Sequence, residues 1–160
     1  MSTISQNWSE RFHESVKKGD LEYRIVRRIN GWIETSIING RTCFVKSSSY
    51  DNNRRQYFLG VDPKKIEENG DLVLLCCGIN SQLRDVFLIP WRPFFETLKS
   101  GKPINTYKPP REYWQYKFYL RDKRDTWIML VQPTTQSSNL DITKWRYDVS
   151  VALAILKAKA

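Results

Sequence analysis

The chain predicts an α/β (α+β) domain: a mixed β-sheet flanked by helices, with a β-hairpin added toward the C-terminus. Three observations lead there. Asn30-Gly31 and Asn39-Gly40 separate three short runs of β-forming residues, and Asn-Gly is the dipeptide best suited to the paired positive φ angles of a type I′ turn. Leu72-Val73-Leu74-Leu75-Cys76-Cys77 is an unbroken apolar run of strand length, the mark of a strand covered on both faces. Segments with helical spacing lie on either side of these strands, which favours a sheet layered with helices over a pure barrel.

Each element has a local reason. Asn7 caps a first helix, and Glu10 three residues on completes a capping box. Trp8, Phe12 and Val16 recur every four residues as its apolar stripe, up to Lys17-Lys18-Gly19. Residues 22–29, 32–38 and 41–47 form an antiparallel meander across the two Asn-Gly turns. Residues 47–56 are polar and basic and read as a loop, and 57–61 as a further strand. Asp62-Pro63 pairs an N-cap with proline at the first helical position, predicting a short helix over 63–69 before Gly70. After the apolar run come a loop at 78–84 and a partner strand at 86–89. Pro90-Trp91-Arg92-Pro93 opens a helix carrying Phe94, Phe95 and Leu98. Gly101, Pro103, Pro109 and Pro110 mark a connector. Trp114, Tyr116, Phe118 and Leu120 then alternate with Tyr113, Gln115, Lys117 and Tyr119, the period-2 pattern of a half-buried strand. Arg121 to Asp125 is a charged hairpin tip, Trp127 to Val131 the return strand, 133–139 a polar loop and 148–158 a closing helix.

The 160 residues suit one domain, divided into a core over 7–99 and a basic, aromatic hairpin with closing helix over 102–160. Hydrophobic residues are 41% and charged residues 27%, the balance of a globular chain rather than a disordered one. No apolar stretch approaches the ~18 residues of a membrane span, and the N-terminus lacks the pattern of a secretory signal. Of three cysteines, Cys76 and Cys77 are adjacent in the apolar run. They and Cys43 read as buried thiols in a reducing compartment, the cytoplasm, rather than as a disulfide framework or zinc site. His13, the one histidine, lies one position off the helix stripe and reads as a surface or boundary residue. A single histidine also disfavours histidine-based zinc chemistry or a Ser-His triad.

Charge points to a partner. Lys and Arg number 26 against 17 Asp and Glu, a net +9, which favours polyanions, nucleic acid foremost. Two clusters carry it. Lys46, Ser48, Asn52, Asn53, Arg54 and Arg55 are donors suited to phosphate oxygens or base edges. Residues 102–124 hold seven basic side chains (Lys102, Lys108, Arg111, Lys117, Arg121, Lys123, Arg124) against Glu112 and Asp122, with six aromatics interleaved. Cations beside aromatics serve phosphate contact and base stacking. Trp114, Tyr116 and Phe118 are assigned to the core face; Arg111, Tyr113, Lys117, Tyr119, Arg121, Lys123 and Arg124 are the surface candidates. A solvated charged face is the competing reading for both clusters.

The order helix, three-strand meander, helix, two strands, helix resembles the PD-(D/E)xK core of restriction endonucleases over residues 7–99. Phe44-Val45-Lys46-Ser47-Ser48 resembles the third-strand motif, and Gly78 to Trp91, with Val86-Phe87-Leu88-Ile89-Pro90, the later strand pair. The resemblance implies an acid on the second strand, Glu34, converging with Lys46 and a helix acid, Glu10 or Glu14, on a divalent metal that activates water. One departure stands out: the position two before Lys46 is Phe44, which has no oxygen to offer the octahedral shell of Mg²⁺. The expectation is therefore a degenerate site with no metal or other cofactor, on a scaffold that binds duplex DNA. Such a chain would be a recognition module or subunit of a restriction or defence system, beside a second subunit or a second copy. Two alternatives stay open: an Mg²⁺-dependent endonuclease using Glu34, Lys46 and Glu10, and a β-barrel recognition domain of the kind attached to restriction enzymes. A basic protein-interaction module is a third.

Overall fold

The computed structural model describes residues 7–67, 70–105, 107, 110–132 and 139–158. It opens with α1 (Trp8–Lys18), whose first turn is capped by Asn7 accepting from the Glu10 N–H at 3.2 Å. The meander follows as β1 (Tyr23–Ile29), β2 (Trp32–Ile38) and β3 (Arg41–Ser49). Both Asn-Gly pairs have positive φ at both residues, as type I′ turns require. β3 runs two residues beyond the predicted strand, so the loop before β4 (Gln56–Val61) shortens to 50–55. Where a helix was predicted over 63–69, a five-residue 3₁₀ segment spans Pro63–Glu67, and residues 68 and 69 lie outside the described residues.

β5 (Leu72–Ile79) and β6 (Gln82–Pro90) form a tight hairpin turning at Asn80 and Ser81, both at positive φ. This replaces the loop expected over 78–84. α2 (Trp91–Lys99) and the two-residue β7 (Ile104–Asn105) lead to β8 (Trp114–Lys123) and β9 (Thr126–Val131). Residues 133–138 of the predicted polar loop lie outside the described residues. Then come β10 (Asn139–Asp141), a 3₁₀ turn (Thr143–Trp145), β11 (Arg146–Tyr147) and α3 (Val149–Lys157), capped by the Asp148 carboxylate.

Two sheets result. The first is mixed, in the order β1-β2-β3-β5-β6-β11, with β3 and β5 the parallel pair. The second runs β10-β9-β8-β4, with β7 paired to β8. Neither closes on itself among the described residues, so the architecture is α+β and not a barrel.

The core is correspondingly double. On one face of the first sheet, Trp8, Phe12 and Val16 of α1 and Ala152 and Leu156 of α3 cover Cys43, Val45, Leu74, Cys76 and Leu88. On the other, Phe44, Val73, Leu75, Phe87 and Ile89 meet Tyr57, Leu59, Phe118, Leu120 and Met129 of the second sheet and Phe94 and Leu98 of α2. β5 is buried at Val73 through Gly78, so the apolar run is explained by covering on both sides, each large side chain contributing about 1.5–3 kcal/mol. Gly78 lies directly under the Trp8 ring, and a Cβ there would overlap the indole. All three cysteines are free and buried; desolvation pushes the Cys43 thiol up to about 12.

His13 corrects the sequence reading: it is buried, not at the boundary. Its Nδ1 lies 2.7 Å from the Ser9 carbonyl oxygen and Nε2 2.8 Å from Ser36 Oγ. A carbonyl only accepts, so Nδ1 carries the proton and Nε2 accepts from the Ser36 hydroxyl. Burial lowers the imidazole below its ordinary value.

Candidate nucleic-acid interface

A register break builds the site. β1 and β2 pair Ile25 with Ser36, then Arg27 with Thr35, then Arg28 with Ile33. Val26 and Glu34 are the residues skipped. Regular alternation would send Glu34 to the α1 side, where Ser36 meets His13 and Ile38 is buried. Ile33 takes that place instead, and Glu34 is re-aimed, as bulges near functional sites often do. Its Oε1 reaches Lys65 Nζ at 3.3 Å and Arg27 Nε at 2.6 Å while Glu34 stays 7% exposed.

Lys46 joins it. β3 places Phe44 and Lys46 on one face, Phe44 in the inter-sheet core against Trp91 and Lys46 beyond the cover of the second sheet. Desolvation holds the Lys46 ammonium below its ordinary value; Glu34 and Asp62 act against that shift, and Lys65 adds to it.

These groups floor a cavity of about 700 Å³, within the usual ~300–1,000 Å³ of ligand sites. Glu34, Lys46, Ser47, Asp62 and Lys65 supply polar groups, and Trp32, Tyr107 and Tyr113 supply rings. Tyr107 and Tyr113 stack at 5.7 Å between centroids, with the Arg111 guanidinium 5.9 Å from the Tyr107 ring. The structure thus brings Glu34 and Lys46 together, as the nuclease resemblance implied. It does not bring the helix acids: Glu10 is ion-paired with Arg28, Glu14 is exposed, and neither lines the cavity. Among the described residues, no three His, Cys, Asp or Glu side chains converge as a metal-ligand set.

Sequence reasoning assigned Asp62 and Lys65 to a helix start rather than to a site, and it missed Trp32. Asp62 and Lys65 belong to the Asp-Pro start, and Asp62 does accept from the Lys64 N–H at 2.9 Å. The same residue lines the cavity, so one motif serves both ends. Trp32 had a signal, a large ring directly after an Asn-Gly turn.

The 51–55 part of the first basic cluster and the 121–124 part of the second meet elsewhere, at one end of the second sheet. Gln56 pairs with Arg121, and the Asp122 N–H donates to the Arg55 carbonyl at 2.9 Å. The turn over 51–55 and the β8–β9 tip are therefore neighbours. Asn52, Asn53, Arg54, Arg55, Lys123 and Arg124 are exposed there. Arg54 faces Asp51 at 3.3 Å and Arg55 faces Asp122 at 3.5 Å. Beneath them the fully buried Asp85 takes the Tyr57 hydroxyl at 2.5 Å and the guanidinium nitrogens of Arg84 at 2.7 Å and Arg146 at 2.6 Å.

Several predicted contacts are placed differently. β8 extends through Lys123, so Arg121 lies within the strand rather than on the tip, and its guanidinium donates to Gln56 Oε1 at 2.8 Å. Ser48 is engaged by β4: its hydroxyl donates to the Phe58 carbonyl at 2.9 Å. Tyr119 packs on Phe58 at 5.0 Å and its hydroxyl accepts from Gln132, while Lys117 sits 5.5 Å from the Phe58 ring. Trp114, assigned to the core face, is 47% exposed. The second sheet's cover begins only at Tyr116. Arg111 and Tyr113 are exposed near the cavity; Lys108 lies outside the described residues. No helix among the described residues is long and apolar enough to cross a membrane. No known family model, curated protein or solved structure matches the chain.

Proposed function

We propose that this chain binds nucleic acid, duplex DNA in particular, without metal and in the cytoplasm. In this reading it is a recognition module or subunit of a restriction or defence system, beside a second subunit or a second copy. The observation that carries the reading is the cavity beside the β2 bulge: three aromatic rings over a floor of Lys46, Lys65, Glu34 and Asp62. Two ammonium groups and two carboxylates give donors and acceptors in one place. Exposed rings beside it serve base stacking. The cations at the far end of the second sheet extend the surface to phosphates, which position a strand without reading its sequence.

The metal-free reading follows from Glu34. Its carboxylate already faces two cations, Lys65 and Arg27. A divalent ion would have to displace the Lys65 ammonium and would find Phe44 where the nuclease pattern has an acid. Gel retardation of duplex DNA, single-stranded DNA and RNA at low salt, with and without Mg²⁺, tests the proposal. Retardation of the duplex, unchanged by Mg²⁺ and without cutting, is expected; no retardation of any strand overturns it.

A metal-dependent endonuclease is the second reading. It is favoured by one observation, that the bulge delivers Glu34 to the cavity that also holds Lys46 and Asp62. Cleavage with Mg²⁺ or Mn²⁺ that disappears in Glu34→Ala and Lys46→Ala would establish it.

A further inference from the structure

The cavity floor carries almost no net charge. Lys46 and Lys65 stand against Glu34, Asp62 and, at the margin, Glu112. A phosphate entering there would meet as much repulsion as attraction, whereas a neutral planar ring with donors and acceptors on its edge would find partners for both. The rings above the floor agree. Trp32 is 42% exposed and has no aromatic or cation partner among the described residues. Trp8, Trp91, Trp127 and Trp145 each have at least one; Trp114 shares the lack of one but does not line the cavity. Tyr107 and Tyr113, 49% and 40% exposed, are already stacked on each other and present a flat aromatic surface to the same space. Exposed rings at a cavity mouth cost hydration free energy unless something covers them. Arg111 beside Tyr107 and the exposed cations of the second sheet lie outside the floor, where a strand's phosphates would run.

Resting on the nucleic-acid reading, we infer that the cavity takes a single unstacked nucleobase, stacked on Trp32 or the Tyr107–Tyr113 pair with its edge toward Glu34, Lys46 and Asp62. A duplex would therefore have to surrender one base to the site, and a mispaired or single-stranded base would enter at lower cost because less pairing is broken.

The test uses 2-aminopurine, whose fluorescence rises when it leaves the base stack. The full chain is titrated into three probes: a single strand containing 2-aminopurine, a duplex with 2-aminopurine opposite a mismatched base, and free 2-aminopurine riboside. The expected result is a fluorescence change with both strands, weak or no binding of the riboside, and tighter binding of the mismatched duplex than of its matched counterpart. Trp32→Ala should abolish the change and weaken strand binding by about five- to hundredfold, the range alanine substitution gives for one stacked base. Trp32→Phe should restore much of both, and circular dichroism should show both variants folded. Retardation that persists with unchanged 2-aminopurine fluorescence overturns the base pocket while leaving nucleic-acid binding intact. Absence of retardation overturns the nucleic-acid reading itself. Riboside binding as tight as strand binding overturns the strand as the source of the base.

Discussion

Two polar regions of the molecule use charge in opposite ways. At the β2 bulge, Glu34, Lys46 and Lys65 are withdrawn from water, and with Asp62 beside them the charges sum to near zero. At the end of the second sheet, Arg54, Arg55, Lys123 and Arg124 stand in water. Their contacts with Asp51 and Asp122 are long and exposed, the kind of pair that adds little to stability. The difference separates two tasks. Exposed cations attract a polyanion at any sequence and cost the fold nothing. Buried, mutually compensated groups make a shaped site, and their desolvation makes each dependent on its neighbours.

The largest expected effect lies under the exposed region. Asp85→Ala leaves Arg84, Arg146 and the Tyr57 hydroxyl without their shared acceptor. Urea unfolding should show a loss of about 2–4 kcal/mol, below the top of the range for fully buried pairs because both guanidiniums reach water. Glu34→Ala comes next: it removes one carboxylate contact from Lys65 and Arg27 and the favourable field from Lys46, and should cost about 1–3 kcal/mol. Lys46→Met should be near neutral or stabilising, since it removes a desolvated charge. If Lys46→Met proved as damaging as Glu34→Ala, the cavity charges would be a structural ion pair and the contrast with the exposed end would weaken.

His13 gives an independent check on the meander beneath the bulge. Its folded-state value lies below the ordinary 6.5, so as pH falls through 6.5 the unfolded chain takes up a proton before the folded one does. Stability should therefore be full above that pH and decline below it, until the folded imidazole itself protonates. His13→Gln should remove this slope in equilibrium unfolding between about pH 7 and pH 5; an unchanged slope would assign it elsewhere. The smallest effect is expected from replacing Arg54, Arg55, Lys123 and Arg124 together by Ala. Thermal unfolding should barely move, because each side chain is exposed and contributes only weak pairing.

What the sequence revealed follows the same division. The Asn-Gly turns, the doubly covered β5 and the Asn7 cap are local signals and appear where expected. The basic clusters were also visible, since exposed charges have no structural reason to be patterned. Their adjacency was not, because it depends on the Gln56–Arg121 register between strands far apart in sequence. Burial of His13 depended on Ser9 and on Ser36 of β2, which no helical periodicity reveals. The bulge was equally hidden: a skipped residue changes a side chain's face without changing any local propensity. Glu34 was singled out only through the resemblance to a nuclease core, whereas Lys46 also belonged to the first basic cluster. Asp62, Lys65 and Trp32 belonged to motifs with a sufficient local explanation.

The most direct test of the division of labour is a binding titration of labelled duplex DNA across about 50 to 200 mM salt, with the parent chain, the four-site basic variant and Trp32→Ala. The parent should bind with an affinity that falls linearly on a log–log plot. The basic variant should show a shallower slope, by about one for each phosphate it no longer neutralises, and Trp32→Ala a weaker affinity at an unchanged slope. No binding at low salt, or a parent slope near zero, would contradict the account.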